Sequence, residues 1–318
     1  MGCCRWRKSV NPTDEIDLKL FDREAIVLRV NYEEKTYESY FNTELGQRTR
    51  VYFPLGQVQE GNLGFDSAAH SLNKSLWSLL GYPFRTSPTF NGSTMQDIAD
   101  EMETFLGKEL GSMPTMKVNI LFQYKKPDYI TTAHGREWAD RREPYYRYDI
   151  YEEQQKLLMN IHRCLGHRVL AIYASPALRD VDDMVKAYLK RKIIQSSNFV
   201  AVDRLDSHHR NNYTCAGRHS RAYSEPEEIH NLDLIELLDG FQNAESPVQP
   251  RSNSELIIRF ARDVASAVSE TPDWSSPFER LNRLFADYRQ YELVFSLLTM
   301  RNFGQLTGIQ WVTSLMRK

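Results

Sequence analysis

The chain has 318 residues, of which 41% are hydrophobic, and carries 40 Lys and Arg against 42 Asp and Glu. That length holds one large domain or a domain with an appendage, and the apolar fraction suffices for a real core. A net charge near zero excludes a histone-like binder held by bulk phosphate neutralisation, while leaving room for a local basic groove around acidic groups.

Residues 1–13 read as a flexible polar leader ending near Pro12. The start MGCCRWRK has the Gly2 of a lipid anchor, but Trp6 stands where the myristoylation pattern wants Ser or Thr. Cys3, Cys4, Cys164 and Cys215 suggest no disulfide framework, Cys164 reads as a buried mid-helix thiol, and no apolar run approaches a membrane span. The expectation is a cytoplasmic chain with no membrane partner.

Alternation over 16–30 predicts strand or mixed structure. From Tyr32 to Leu45 the residues Tyr37, Tyr40, Phe41 and Leu45 share a helical face, and Gly46 stops it. A glycine-punctuated turn (Gly56, Gly61, Gly64) leads to Asp66. Residues 72–80 and 95–110 are helical by periodicity, and KVNILFQYK (117–125) is the clearest strand. A helix over 150–165, a strand over 168–174, a helix over 181–193 and a strand over 198–203 follow. Residues 206–224 suit hairpins and 226–238 a helix; 242–253 is a Pro/Ser-rich linker. Helices are predicted over 254–268, 278–299 and 309–316. The fold class is α/β, with domains at 14–240 (a helical insertion over about 70–112) and 254–318, a helical C-terminal appendage after a 241–253 linker. There, Leu281, Leu284, Phe285, Leu293 and Leu297 offer a contact for a partner protein or homodimer.

Alternation along ILFQYK puts Ile120, Phe122 and Tyr124 on one face and Leu121, Gln123 and Lys125 on the other. A lysine ending a buried strand needs an anion or acceptor beside it. Upstream carboxylates are Glu44 on the first helix, Glu60 in the turn and Asp66 at its end. Hard oxygen ligands of this kind suit Mg²⁺ (or Mn²⁺), which keeps waters and takes phosphate oxygens.

These residues carry a resemblance. Glu44 on a helix, Gly64-Phe65-Asp66, and then Gln123-x-Lys125 on a strand followed by helix and strand are similar to the PD-(D/E)XK nuclease superfamily. The match is to its variants with Gln in place of the second acid, over about residues 32–176. The resemblance implies a restriction-endonuclease-like core, a mixed central sheet flanked by helices. It also implies a metal-dependent endonuclease acting on DNA rather than RNA, and a setting in anti-phage or mobile-element defence. Asp66, Gln123 and Glu44 would ligate the metal, with Glu60 a further candidate, and Lys125 would position the attacking water and steady the phosphate.

Gln154 and Gln155, on the helix between strands, are candidate substrate contacts, as are Arg147 and Tyr148 in the aromatic-basic run 145–148 and Arg210 and Arg218 in the hairpin region. His208, His209, Cys215 and His219 fit no paired zinc spacing. Neither a Walker A nor a Gly-x-Ser-x-Gly elbow is present. The alternative to an enzyme is an inactive nuclease-fold protein that binds nucleic acid or a partner.

Overall fold

The computed structural model describes residues 27–54, 95–133, 135–243 and 252–315. The predicted leader, the turn carrying Glu60 and Asp66, the helix over 72–80 and most of the linker lie outside these residues.

The fold is mixed α/β. It is built on strand β3 (Met116–Tyr124), in which every residue but Lys117 is buried. A strand covered on both faces reads as a continuous apolar run, which is why it stands out in the sequence. On one side β3 pairs in parallel with β6 (Val169–Pro176), Phe122 opposite Ile172 and Gln123 opposite Tyr173. Parallel neighbours need a crossover, and helix α4 (Glu152–Leu165) lies within this one. On its other side β3 pairs antiparallel with β11 (Gln310–Leu315), Trp311 opposite Leu121. With β2 (Val51–Tyr52) and β7 (Ser197–Ala201) the sheet order is β2-β11-β3-β6-β7.

Helix α1 (Glu34–Arg48) buries Tyr37, Phe41 and Leu45 at four-residue spacing against one face of this sheet. Phe41 packs at 5.3 Å on Phe122 and 5.5 Å on Tyr124. Helices α5 (Val181–Leu189) and α6 (Leu234–Asn243) share that layer, and Tyr40 stacks on Tyr188 at 4.3 Å. The opposite face is covered by α2 (Met95–Ser112), α4, α7 (Asn253–Ser269), α8 (Pro272–Arg283) and α9 (Glu292–Thr307).

A second, wholly antiparallel sheet has the order β1-β4-β5-β8-β9-β10. Its strands are Val27–Arg29, Asp128–Ile130, Tyr145–Asp149, Arg210–Tyr213, His219–Tyr223 and Glu227–His230. The tyrosines of its inner face join it to the first sheet: Tyr213 Oη donates to the Pro176 carbonyl (2.9 Å) and lies 2.7 Å from Ser175 Oγ. A short helix α3 (Trp138–Arg141) lies between β4 and β5. Among the described residues no helix is long and apolar enough to cross a membrane.

Several expectations are corrected. The predicted helix over 309–316 is strand β11, an inner strand of the main sheet. Ile309-Gln-Trp-Val-Thr-Ser-Leu is too short to close many helical bonds, and its β-branched and aromatic residues fit a two-sided buried strand. The described residues 254–315 of the predicted appendage are therefore part of the core, since α7 packs on α2 and α4 and β11 lies beside β3. The predicted helix over 278–299 is two helices. The first ends at Arg283 and the second begins at Glu292, with a 3-10 turn at Ala286–Tyr288 between them, and Phe278, Leu293 and Leu297 bury in the same core. Leu293 and Leu297 are thus spent on packing, and of the proposed contact residues Leu284 is exposed. The helix over 226–238 begins only at Leu234, because Glu227–His230 pairs with β9 as an edge strand that buries Ile229 alone. Strands β4 and β5 were not anticipated. Cys164 is exposed rather than buried.

Candidate functional site

The alternation predicted for β3 holds in space. Ile120, Phe122 and Tyr124 enter the α1 layer, while Leu121 enters the core on the opposite face and Gln123 meets α4 there. Lys125 follows the last strand residue; its backbone N–H donates to the Ala174 carbonyl (2.9 Å) and extends the β3–β6 ladder by one bond. This anchors its side chain at the carboxyl edge of two parallel strands, where open α/β sheets present ligands. The side chain is only 5% exposed.

One amide organises the group. Gln154, in the first turn of α4, accepts from Lys125 Nζ through Oε1 at 3.0 Å. Its Nε2 donates to Gln123 Oε1 at 2.6 Å and to the Thr307 carbonyl at 3.0 Å. The ammonium fixes the amide's orientation, because Lys125 has only protons to offer and requires the oxygen. Thr307 is available for a structural reason: Gly308, at φ 71°, takes the left-handed conformation that ends α9, and such an end leaves carbonyls without helical partners. Gln123 Nε2 turns to the Tyr124 carbonyl at 3.0 Å.

Aromatic rings complete the setting of Lys125. Its Nζ lies 4.5 Å from the centroid of Tyr151 and 5.6 Å from that of Tyr173. Among the described residues no carboxylate forms an ion pair with it. Burial therefore pulls the Lys125 pKa down to about 8, with Glu34 and Asp149 acting in the opposite direction. Glu34, in the first turn of α1, accepts from the Lys126 backbone N–H at 3.3 Å. Burial raises its pKa, with Lys125 and the Lys126 N–H opposing. The site thus brings together residues from both helical layers at one sheet edge.

The other candidates are placed as follows. Glu44 is buried, with Oε1 accepting from Arg48 (2.9 Å) and Oε2 from the Ile193 N–H (2.6 Å). These bonds tie α1 to the turn before β7, on the face of the sheet opposite Gln123. Gln155 donates to the Val202 carbonyl (2.9 Å) and accepts from Tyr173 Oη (2.7 Å). Tyr148 is buried and accepts from Asn211 (3.1 Å). Arg147 lies 3.5 Å from Glu137 and 3.7 Å from Asp128. Arg210 pairs with Glu137 (2.6 Å) and Asp149 (2.7 Å), and Arg218 with Asp233 (3.3 Å) and Glu236 (3.0 Å). The structure thus groups Gln123, Lys125 and Gln154, whereas each of these arginines is already matched by carboxylates.

Glu34, Asp149 and Tyr151 were not picked out from the sequence. An acid in a helix's first turn has an ordinary explanation in the helix dipole, and nothing local marks Glu34 as the one that reaches the Q-x-K strand. Among the described residues no three His, Cys, Asp or Glu side chains are grouped to hold a metal ion.

Comparison of the chain with models of known protein families, with curated proteins and with solved structures finds no match. A buried ammonium is costly. Here it meets one amide oxygen and two aromatic faces in place of a carboxylate, an arrangement suited to receiving an anionic group at the sheet edge.

Proposed function

We propose that the chain is a metal-dependent phosphodiesterase that cleaves nucleic acid, DNA before RNA, on a restriction-endonuclease-like core. The observation that carries this reading is the buried Lys125, without an ion-pair partner among the described residues and bridged by Gln154 to Gln123. Perturbed titratable groups at a sheet edge are where catalysis is expected. Further support comes from the order α1, β3 with Q-x-K, a helix-bearing crossover and a parallel β6.

In this reading Lys125, as the ammonium, steadies the phosphate oxygens as charge develops on them. Gln154 holds Lys125 and Gln123 in register. The donors at hand, the Gln123 amide and the carboxylates of Glu34 and Asp149 that act on Lys125, are hard oxygens and suit Mg²⁺ or Mn²⁺ in kind. Gln123 Oε1 and Asp66 would hold the ion, and Gln123 Oε1 would have to exchange its bond from Gln154 for it. When bound, such an ion supplies Lewis-acid polarisation and an activated water. A role in anti-phage or mobile-element defence is the setting proposed for such an activity.

A second reading, an inactive nuclease-fold protein that binds nucleic acid or a partner, is favoured by one observation. Gln154 already occupies both Gln123 Oε1 and Lys125 Nζ. Incubating the full chain with plasmid, linear DNA and RNA, with Mg²⁺ or Mn²⁺ and then with chelator, separates the two. The enzyme reading expects chelator-sensitive cleavage that Lys125→Ala abolishes. Absence of cleavage, or cleavage unchanged in a Lys125→Ala, Asp66→Ala double variant, overturns the site assignment.

A further inference from the structure

Tyr151 is 65% exposed, and among the described residues it is the only Phe, Trp or Tyr that is exposed. Its position explains the conformation but not the residue type. It is the N-cap of α4, with extended backbone (φ −79°, ψ 125°), and its side chain makes no capping bond. Ser, Thr, Asp or Asn would stabilise that position by accepting from the helix's first N–H groups. A tyrosine there gives up that bond and leaves a large apolar ring in water. The ring instead lies over Lys125 Nζ at 4.5 Å. With the ring over the buried ammonium, its exposed surface is the part turned to solvent.

The neighbouring aromatic run cannot play the same part. Tyr145, Tyr146 and Tyr148 are at most 5% exposed, and Tyr146 and Tyr148 pack on Tyr213 at 5.5 and 6.4 Å. A base stacking at this edge of the sheet meets Tyr151 first.

We propose that Tyr151 is the stacking platform of the site, receiving an unpaired nucleobase next to the phosphate held by Lys125. The inference rests on the nuclease reading and narrows its substrate class. A flat ring beside a single buried cation recognises one base face and one phosphate. In duplex DNA the base faces are covered by their neighbours, so the site favours single-stranded DNA or a nucleotide at a gap, flap or bulge. Base–aromatic stacking is sequence-tolerant, since every base has a π face, so the preference is for strandedness over sequence.

The test uses the full chain, the Tyr151→Leu variant, which keeps an apolar cover over Lys125 without a ring, and Tyr151→Trp, which keeps the ring. Cleavage with Mn²⁺ and binding in chelator are measured on a labelled single-stranded DNA and on the same sequence as a blunt duplex. The native protein is expected to prefer the single strand in kcat/KM and in affinity. Tyr151→Leu should lower that preference about tenfold, the loss of one stacked base, and Tyr151→Trp should restore it. A Tyr151→Leu protein with unchanged strand preference, or equal losses on both substrates, overturns the proposal. If the native protein does not cleave, the nuclease reading fails by itself. The chelator binding series then decides whether Tyr151 stacks a base: equal affinities of native and Tyr151→Leu protein for the single strand refute it.

Discussion

Replacing Lys125 by Met should stabilise the protein near neutral pH while removing the proposed cleavage. The ordinary lysine pKa of 10.5 is lowered to about 8 in the folded chain, chiefly by burial. At about 1.4 kcal/mol per pH unit, that interval corresponds to about 3 kcal/mol by which the buried ammonium weakens the fold. Methionine has a similar length and no charge to desolvate. It does leave Gln154 Oε1 without its donor, a loss of about 1 kcal/mol, so the net gain near pH 7 is about 2 kcal/mol. Because the folded pKa lies below the unfolded one, the unfolded chain binds more protons between about pH 8 and 10.5. The wild-type penalty is therefore complete below about pH 8 and fades as pH rises through that window. Near pH 9.5 it has fallen to about 1 kcal/mol, and the variant's advantage all but disappears. Urea denaturation of both proteins at pH 7 and pH 9.5 measures this, and comparing the pair cancels the titration of groups they share. A Met variant no more stable than the wild type at pH 7, or an advantage independent of pH, would refute the claim that the ammonium is held at a cost.

On the proposed nuclease reading the same protonation sets the pH dependence of cleavage. If Lys125 works as an ammonium, the rate falls as pH rises through about 8; a rate that rises there would reassign it as a base. Glu34→Gln removes a charge that holds the Lys125 pKa up, so this limb should move to lower pH, and an unmoved limb would separate Glu34 from the site. Truncation after Ile309 deletes β11, exposing the edges of β3 and β2 and removing the buried Trp311; the product should show no cooperative unfolding, whereas a soluble, cooperatively unfolding fragment would contradict the topology. Asn253 accepts from the Met116 N–H and donates to the Leu110 and Pro114 carbonyls (2.9, 2.9 and 3.1 Å). Asn253→Ala should cost about 3 kcal/mol in denaturant unfolding, from three bonds lost at a buried position, and a cost under about 1 kcal/mol would mean that relaxation or water replaces them.

How much of this was legible in the sequence depended on whether the signal was local. Strand β3, its alternation and the adjacency of Gln123 and Lys125 follow from a run of nine residues, as does the α1 face of Tyr37, Phe41 and Leu45. Partner choice was not local. Gln154 could be named as a candidate, but not that its amide bonds Gln123, Lys125 and Thr307 together. Glu44 and Glu34 lie on one helix and look alike as letters. Only the packing of Phe41 against Phe122 and Tyr124 turns Glu34 to the sheet edge and Glu44 to Ile193. Arg147 and Arg210 read as free cations because Glu137, which pairs with both, belongs to a segment with no strong periodicity. Strand β11 is short enough that its β-branched and aromatic residues do not by themselves separate strand from helix, and the slot between β2 and β3 decides for the extended form.

That slot also sets an order of events during synthesis. Asn119 on β3 receives its bond from Trp311 across 192 residues. At ribosomal rates of about 5–20 residues per second, the interval between making the two is roughly 10–40 s. Throughout it, the strand that carries Gln123 and Lys125 has one edge open, and α9, whose end supplies the carbonyl held by Gln154, is made only at the close of that interval. The nascent chain therefore carries Gln123 and Lys125 long before the hydrogen-bonded group they form with Gln154 and Thr307 can close, and on the proposed nuclease reading a ribosome-bound fragment should be inert toward nucleic acid.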